Sequence, residues 1–184
     1  MGESHTSSDL QKEVNAPYKV LRPHMKTGDA ILWQGDYLIS RAIRCFSKYS
    51  HVSMVLRLGN EYEMLRDRVF LVEALEGGLE LRSLSQRLNE YQGKAFWFET
   101  PLSKRQQRAA GAYSLHMVSK GIKYDYSSLF ANLLGRVSSD ARKYFCSEFY
   151  HDVMKHVGHA EYQEKAPRPG DIPEWIQGVT YQIY

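Results

Sequence analysis

The segment Val69–Leu75 and the two glycines after it constrain the fold most strongly. Val69-Phe70-Leu71-Val72-Glu73-Ala74-Leu75 contains the β-branched and aromatic residues that favour extended backbone. Gly77-Gly78 permits the tight turn of a β-hairpin, and Leu79–Arg82 supplies the returning strand. The chain is therefore expected to contain an antiparallel sheet.

Further short strands are predicted before residue 100. They are Ala30–Trp33, Ser50–Leu56, Tyr62–Leu65 and Ala95–Phe98, of which the last closes this β-rich half of the chain. Lys26–Asp29 is interpreted as the turn that precedes the first of them. Helical spacing of apolar residues predicts helices over Asp36–Lys48 and Ser83–Tyr91.

The second half of the chain changes from strands to helices. Ser103 is a suitable N-cap for a helix over Lys104–Ser119, and Gly121 follows as a stop. A helical turn is expected near residues 128–134, and three prolines between residues 167 and 173 indicate a tail over the surface. Strands first and helices second indicate an α+β domain.

Composition limits the classes of protein to consider. We expect a flexible tail over residues 1–17 and a single domain over residues 18–184. The net charge of +3 is too small to argue for nucleic acid. The chain lacks the ~20 apolar residues of a membrane span, and Met1–Val14 lacks the pattern of a signal peptide. A cytoplasmic location is predicted, or a host cytoplasm if the chain comes from a phage or virus.

Cys146 is the candidate nucleophile. It is expected in the first turn of a helix over Cys146–His156, where the helix dipole stabilises a thiolate. A cysteine nucleophile needs a base and a group that orients the base. His51 at the head of one strand and Glu73 near the end of another could meet on the same sheet. From spacing alone, a structural histidine and a core cysteine remain the alternative.

Several short motifs carry a family resemblance in one order along the chain. They are Gly28-Asp29-Ala30-Ile31, Tyr49-Ser50-His51-Val52-Ser53-Met54-Val55, Val72-Glu73-Ala74, Tyr124-Asp125-Tyr126 and Tyr144-Phe145-Cys146-Ser147-Glu148. In this order the chain resembles the circularly permuted papain-like group of the NlpC/P60 superfamily, the YiiX-like amidases. The resemblance runs from about Lys26 to Trp175. Ser53 stands where a glycine is common in the family.

The resemblance implies a circularly permuted papain-like α+β fold, with an antiparallel sheet packed against helices. By position, Cys146 is the nucleophile, His51 the base and Glu73 the third member of the triad. The backbone N–H of Cys146, at the helix start, is expected to serve the oxyanion hole. Tyr124 is expected either to shape the substrate pocket or simply to pack.

The predicted function is hydrolysis of an amide bond through a thioester, with a peptide or an acylated small molecule as substrate. No metal or other cofactor is expected; His151, His156 and His159 with Cys146 are too poorly spaced for zinc. Two rivals remain. One is a lipid-directed acyltransferase or phospholipase on the same fold, with Arg41, Arg44 and Lys48 as a basic rim. The other is a non-catalytic ligand-binding relative. The sequence leaves the oligomeric state open.

Overall fold

A six-stranded antiparallel sheet forms the centre of the computed structural model. The structure describes residues 16–35, 47–59, 62–75, 78–121, 138–159, 168–176 and 178–184. The strands are β1 (Ala30–Gly35), β2 (His51–Leu56), β3 (Phe70–Leu75), β4 (Gly78–Ser83), β5 (Gly93–Glu99) and β6 (Val179–Gln182). Their order across the sheet is β4-β3-β2-β1-β5-β6.

Helices cover both faces of the sheet. They are α1 (Ala16–Leu21), α2 (Leu84–Glu90), α3 (Lys104–Ser119), α4 (Ser138–His156) and α5 (Ile172–Trp175), with 3₁₀ turns at Arg22–His24 and Glu63–Leu65. Strand alternation divides the apolar residues between the faces. Val52, Met54 and Leu56 of β2 share one core with residues of α3 and α4. Val55 belongs to the other core, which contains Leu84 and Leu88 of α2. The chain is therefore an α+β protein, as predicted.

The hairpin prediction is confirmed, since β3 and β4 pair antiparallel with Leu75 opposite Gly78. The predicted helix over Lys104–Ser119 is also confirmed. Ser103 accepts a hydrogen bond from the backbone N–H of Gln106, whose side chain caps the N–H of Ser103 in return. This reciprocal arrangement satisfies two amide groups that a helix start otherwise leaves unpaired.

One predicted strand was wrong, and the predicted course of the C-terminal segment was wrong as well. Tyr62–Leu65 contains a 3₁₀ turn at Glu63–Leu65, because its exposed side chains, with Met64 at 93%, have no sheet face to cover. The strand predicted over Ala95–Phe98 is confirmed as β5, and the C-terminal segment adds a further strand, β6, beside it. The same segment buries Ile172 and Ile183, so it belongs to the core rather than lying over the surface.

Several predicted features lie outside the described residues. They include residues 36–46 of the predicted Asp36–Lys48 helix; its last two residues, Ser47 and Lys48, are not helical. The Tyr124-Asp125-Tyr126 motif and the turn near residues 128–134 also lie outside. The domain boundary at residue 17 stays a prediction.

The hydroxyl of Tyr150 fixes α4 against the sheet. It donates to the carbonyl oxygen of Gly28 at 3.0 Å, which uses its only proton. It therefore accepts from Thr100 Oγ1, 2.7 Å away. Since Tyr150 is buried and lies one turn after Cys146, these two bonds position the cysteine-bearing part of α4.

Gly93 offers a test of the sheet geometry. Its φ is +141°, and an added Cβ would overlap the carbonyl oxygen of Gln34 on β1. We expect Gly93→Ala to lower the free energy of unfolding by about 3 kcal/mol or more, through strain and overlap. Gly121→Ala is the matched control, because φ there is +57° but no atom of the described residues lies within 4 Å of the added Cβ. It should cost only ~1 kcal/mol. Urea unfolding followed by circular dichroism measures both, and equal losses would contradict the described register.

Candidate active site

His51 and Glu73 meet on the sheet. His51 is the first residue of β2, and Glu73 lies within β3. The register that pairs Met54 with Val72 sets Ser53 opposite Glu73 and makes His51 a diagonal neighbour. His51 Nε2 lies 3.2 Å from Glu73 Oε1. The His51 side chain is 19% exposed and that of Glu73 is fully buried, so solvent reaches this pair from the histidine side.

Two further residues of the sheet hold the carboxylate of Glu73. Ser53 Oγ donates to Glu73 Oε1 at 2.7 Å. Ser53 Oγ in turn accepts from Trp33 Nε1, also at 2.7 Å. The indole N–H thus fixes the hydroxyl so that its proton points at the carboxylate. The rigid Trp33–Ser53 pair therefore sets the orientation of Glu73, which in turn contacts His51.

Arg87 of α2 brings a positive charge to the other oxygen of this carboxylate. Its Nε lies 3.4 Å from Glu73 Oε2, as an ion pair without an aligned hydrogen bond. The guanidinium lies 5.2 Å from the ring centre of Trp33 and 5.1 Å from that of Tyr91. Such cation–π contacts stabilise a desolvated arginine. The aromatic rings therefore hold the positive charge beside Glu73.

The pKa of Glu73 is lowered in spite of its burial. Burial raises this pKa, but the hydrogen bond and charge of His51, the Ser53 hydroxyl and the Arg87 charge together outweigh it. Glu73 is therefore an ionised carboxylate in the protein interior. A buried carboxylate stays charged only where cations and donors compensate for the lost water, and His51 and Arg87 provide those cations.

Cys146 is the second hydrogen-bonding partner of the His51 ring. It belongs to α4, is 1% exposed and is hydrogen-bonded to His51. Burial lowers the pKa of His51, but the negative charge and hydrogen bond of Cys146, followed by those of Glu73, raise it to about 10. Because Nε2 faces Glu73, Nδ1 is the nitrogen left for Cys146. The raised pKa of His51 therefore favours the imidazolium form of a ring that contacts both Glu73 and Cys146.

The predicted position of Cys146 at a helix start was wrong. Helix α4 begins at Ser138, eight residues before Cys146. The backbone N–H of Cys146 is therefore engaged within the helix, since only the first four N–H groups lack such a partner. Neither the helix dipole nor an unpaired N–H of Cys146 is available as the sequence suggested.

The remaining site predictions concern Tyr124 and the basic rim. The described residues do not include Tyr124, Arg41 or Arg44. Lys48 is exposed, with its Nζ 5.3 Å from the ring centre of Tyr49.

Two of the three histidines considered for zinc pack against different aromatic side chains. His151 is buried against Trp175, with ring centres 4.9 Å apart. His156 stacks on Tyr113 at 4.2 Å. No group of three or more metal-binding side chains converges among the described residues.

Sequence reasoning missed the supporting residues Ser53, Trp33 and Arg87. Ser53 stands two positions after His51 and therefore on the same strand face, which is a signal that the sequence carries. The contribution of Arg87 has no such signal, because it arises from the packing of α2 on the sheet. An arginine on a short amphipathic helix is more often exposed to solvent.

Comparison with known proteins supports the fold. No protein-family model matches the chain, and no curated protein matches it in sequence. Among solved structures, the chain is similar to the metalloprotein YiiX from Escherichia coli O157:H7, with 24% identity and a TM-score of 0.51. The similarity covers 72% of this chain and 67% of that one. The fold is therefore YiiX-like.

Within the part of the chain that the structure describes, no helix has both the length and the apolar character needed to cross a membrane.

The two pKa shifts make stability depend on pH in opposite directions. Glu73 has a lowered pKa in the folded protein, so its contribution is present above about pH 4.5 and is lost as the pH falls through the folded-state pKa. His51 has a raised pKa, so its contribution is complete below about pH 6.5 and is lost as the pH rises through about 10.

Removing the charge of Glu73 should leave the partly buried guanidinium of Arg87 without its anionic partner. We expect Glu73→Gln to lower the free energy of unfolding by about 3 kcal/mol, because the guanidinium is left without its anion. Glu73→Gln/Arg87→Met should recover at least about half of this loss, since neither charge remains. Chemical denaturation near pH 7 measures both variants.

Glu90 supplies the matched control for that experiment. It forms an ion pair with Arg82 at 2.9 Å, but its side chain is 45% exposed. Glu90→Gln should change stability by less than about 0.5 kcal/mol. The description of Glu73 as a compensated buried charge would be wrong if the two glutamine variants lost equal stability.

Proposed function

We propose that the chain is a cysteine hydrolase that cleaves an amide bond, with Cys146 as nucleophile, His51 as acid and base, and Glu73 orienting His51. The observation that carries this proposal is the ring of His51 between Glu73 Oε1 and Cys146. A nucleophile, a base and an orienting carboxylate in contact form the usual arrangement of a catalytic triad. The non-catalytic alternative depended on a separation of Cys146 from His51, and these residues are hydrogen-bonded.

The first half-reaction uses the proton that His51 holds at neutral pH. The thiolate of Cys146 attacks the carbonyl carbon of the amide and forms a C–S bond. His51 Nδ1 then gives its proton to the leaving nitrogen as the C–N bond breaks. An amine is a poor leaving group unless it is protonated, so a histidine with a raised pKa suits an amide substrate.

Acylation also changes the base strength of His51. In the thioester, the sulfur of Cys146 carries no charge, and the largest cause that raises the pKa of His51 is gone. Burial then lowers this pKa against the remaining effect of Glu73. His51 can therefore take a proton from water, whose oxygen attacks the thioester and releases the acid and the Cys146 thiolate. The same ring acts as acid first and as base second.

We further propose that the fold is a circularly permuted papain-like one of the NlpC/P60 type. The histidine precedes the cysteine in this chain, as permutation requires, and the YiiX-like architecture supports this interpretation. The sheet carries His51 and Glu73, and the helix that carries Cys146 packs on the same sheet. The single-domain organisation over residues 18–184 belongs to the same proposal.

A metal-assisted mechanism is a poor fit to this set of side chains, although YiiX is described as a metalloprotein. Both oxygens of Glu73 already face partners, with Ser53 and His51 on one and Arg87 on the other. A divalent cation there would also lie against the Arg87 charge. The proposed chemistry therefore proceeds through the thiol, without a metal.

Mass spectrometry of the acyl adduct tests the proposal directly. The full chain is incubated with a cell extract that contains peptides and lipids, then quenched in acid and mapped by peptide digestion. We expect an acyl group on Cys146, absent from Cys146→Ala and retained in Cys45→Ala, which is the matched control. An adduct on Cys45, or turnover that survives in a folded Cys146→Ala variant, would overturn the assignment of the nucleophile.

The mass of the adduct also separates the substrate classes. An aminoacyl or peptidyl mass supports the peptide or acyl-amine substrate proposed here. A long fatty acyl mass supports the lipid-directed rival, for which the described residues supply only Lys48 of the three rim cations. In either case, His51→Ala should lower the rate of acylation by at least about a hundredfold.

A further inference from the structure

A cavity of about 850 Å³ lies between the end of β2 and the start of α3. His51 is at the opposite end of β2, and six residues of strand span roughly 17–20 Å. The cavity is therefore separate from the candidate active site. Its volume falls within the range of small-molecule sites, which is about 300–1,000 Å³.

Four cations line this cavity, and none of its described lining residues is acidic. They are Arg57 and Arg66 on one side and Lys104 and Arg108 on α3. Asp67 lies 4.0 Å from Arg66 Nε, but its side chain is 78% exposed. Among the described residues, four positive side chains and this one carboxylate leave a net charge of +3. A doubly charged phosphate compensates for such a field better than a single carboxylate does.

The basic residues near the N-terminus of α3 destabilise the protein when no ligand is bound. Lys104 and Arg108 are one helical turn apart, where like charges repel. The first turn of α3 holds basic residues and no acidic one, although the helix dipole disfavours cations there. Neither Lys104 nor Arg108 pairs with a carboxylate within the described part of the chain. A bound anion relieves both unfavourable interactions.

Arg57 is positioned in advance for such an anion. Its Nη2 donates to the carbonyl oxygen of Arg66 at 2.8 Å, and its Nη1 lies 3.5 Å from that of Arg22. A guanidinium has five N–H donors in a planar fork, so three remain for a ligand. Because backbone carbonyl oxygens already fix the guanidinium of Arg57, little further side-chain entropy is lost when an anion binds.

Apolar side chains line the cavity beside the cations. Leu58, Tyr62 and Leu115 lie on its wall, with Tyr62 54% and Leu115 38% exposed. Exposed large apolar side chains next to convergent polar groups are typical of a ligand site. We infer that the cavity binds a phosphorylated organic molecule, whose phosphate contacts the cations and whose apolar or aromatic part contacts Leu58, Tyr62 and Leu115.

Binding of 1-naphthyl phosphate to the full chain tests this inference. Calorimetry should show saturable binding that weakens as salt rises, with inorganic phosphate at least about tenfold weaker because it lacks the apolar contact. Lys104→Gln/Arg108→Gln should weaken naphthyl phosphate at least about tenfold. Arg105→Gln/Lys120→Gln removes the same charge from residues that do not line the cavity, and it should change the affinity less than about twofold.

Two further measurements keep the test decisive. The melting temperature without ligand should not fall in Lys104→Gln/Arg108→Gln, since the change relieves repulsion. Leu115→Asn, at an exposed position, should weaken the binding of naphthyl phosphate but not that of inorganic phosphate.

The inference is overturned if naphthyl phosphate does not bind, or if both double variants lose affinity equally. Binding only to vesicles that contain phosphatidic acid would also overturn it and assign the cations to a lipid surface.

Discussion

The buried charges around His51 are the interaction on which the rest of the site depends. A fully buried carboxylate, Glu73, lies between two cations, the ring of His51 and the guanidinium of Arg87. Cys146 is hydrogen-bonded to the same ring and is the largest of the causes that raise the pKa of His51. Each charge is tolerated only because its neighbours compensate for it, so the four groups form one electrostatic unit. Since their side chains come from β2, β3, α2 and α4, this unit also links both faces of the sheet.

Two buried carboxylates in this protein show what such compensation does. Asp29 accepts from the backbone N–H groups of Lys26 and Thr100 and from the indole of Trp97. Burial outweighs these neutral donors and the smaller effect of the Lys26 charge, so the pKa of Asp29 is raised to about 6. Glu73 is at least as buried, but its partners are cations, and its pKa is lowered. The difference lies in the charge of the partners rather than in their number. A buried carboxylate that must remain anionic at neutral pH therefore requires cationic partners, as Glu73 has.

Much of the sheet and part of the site could be predicted from sequence, because both follow from the period of two along a strand. The alternation around His51 and the hairpin after Glu73 place both residues on one sheet. The features that could not be predicted depend on packing between residues that are far apart in the sequence. The edge strand β6 comes from the far end of the chain, and Arg87 reaches the carboxylate only because α2 packs on that face. The true start of α4 was hidden by its polar first residues, which resemble a loop when no partner surface is known.

The protonation state of His51 is the most direct measurement of this account. The ¹⁵N chemical shifts of both ring nitrogens, followed with pH, show whether the ring is an imidazolium. We expect both nitrogens to carry protons up to about pH 8 in the wild type, and loss of one proton at a lower pH in Cys146→Ala, because the neighbouring negative charge is gone. His151 serves as an internal reference, since burial lowers its pKa and keeps its ring neutral at the same pH. A neutral His51 ring at pH 7 in the wild type, or identical titration in both proteins, would contradict the account.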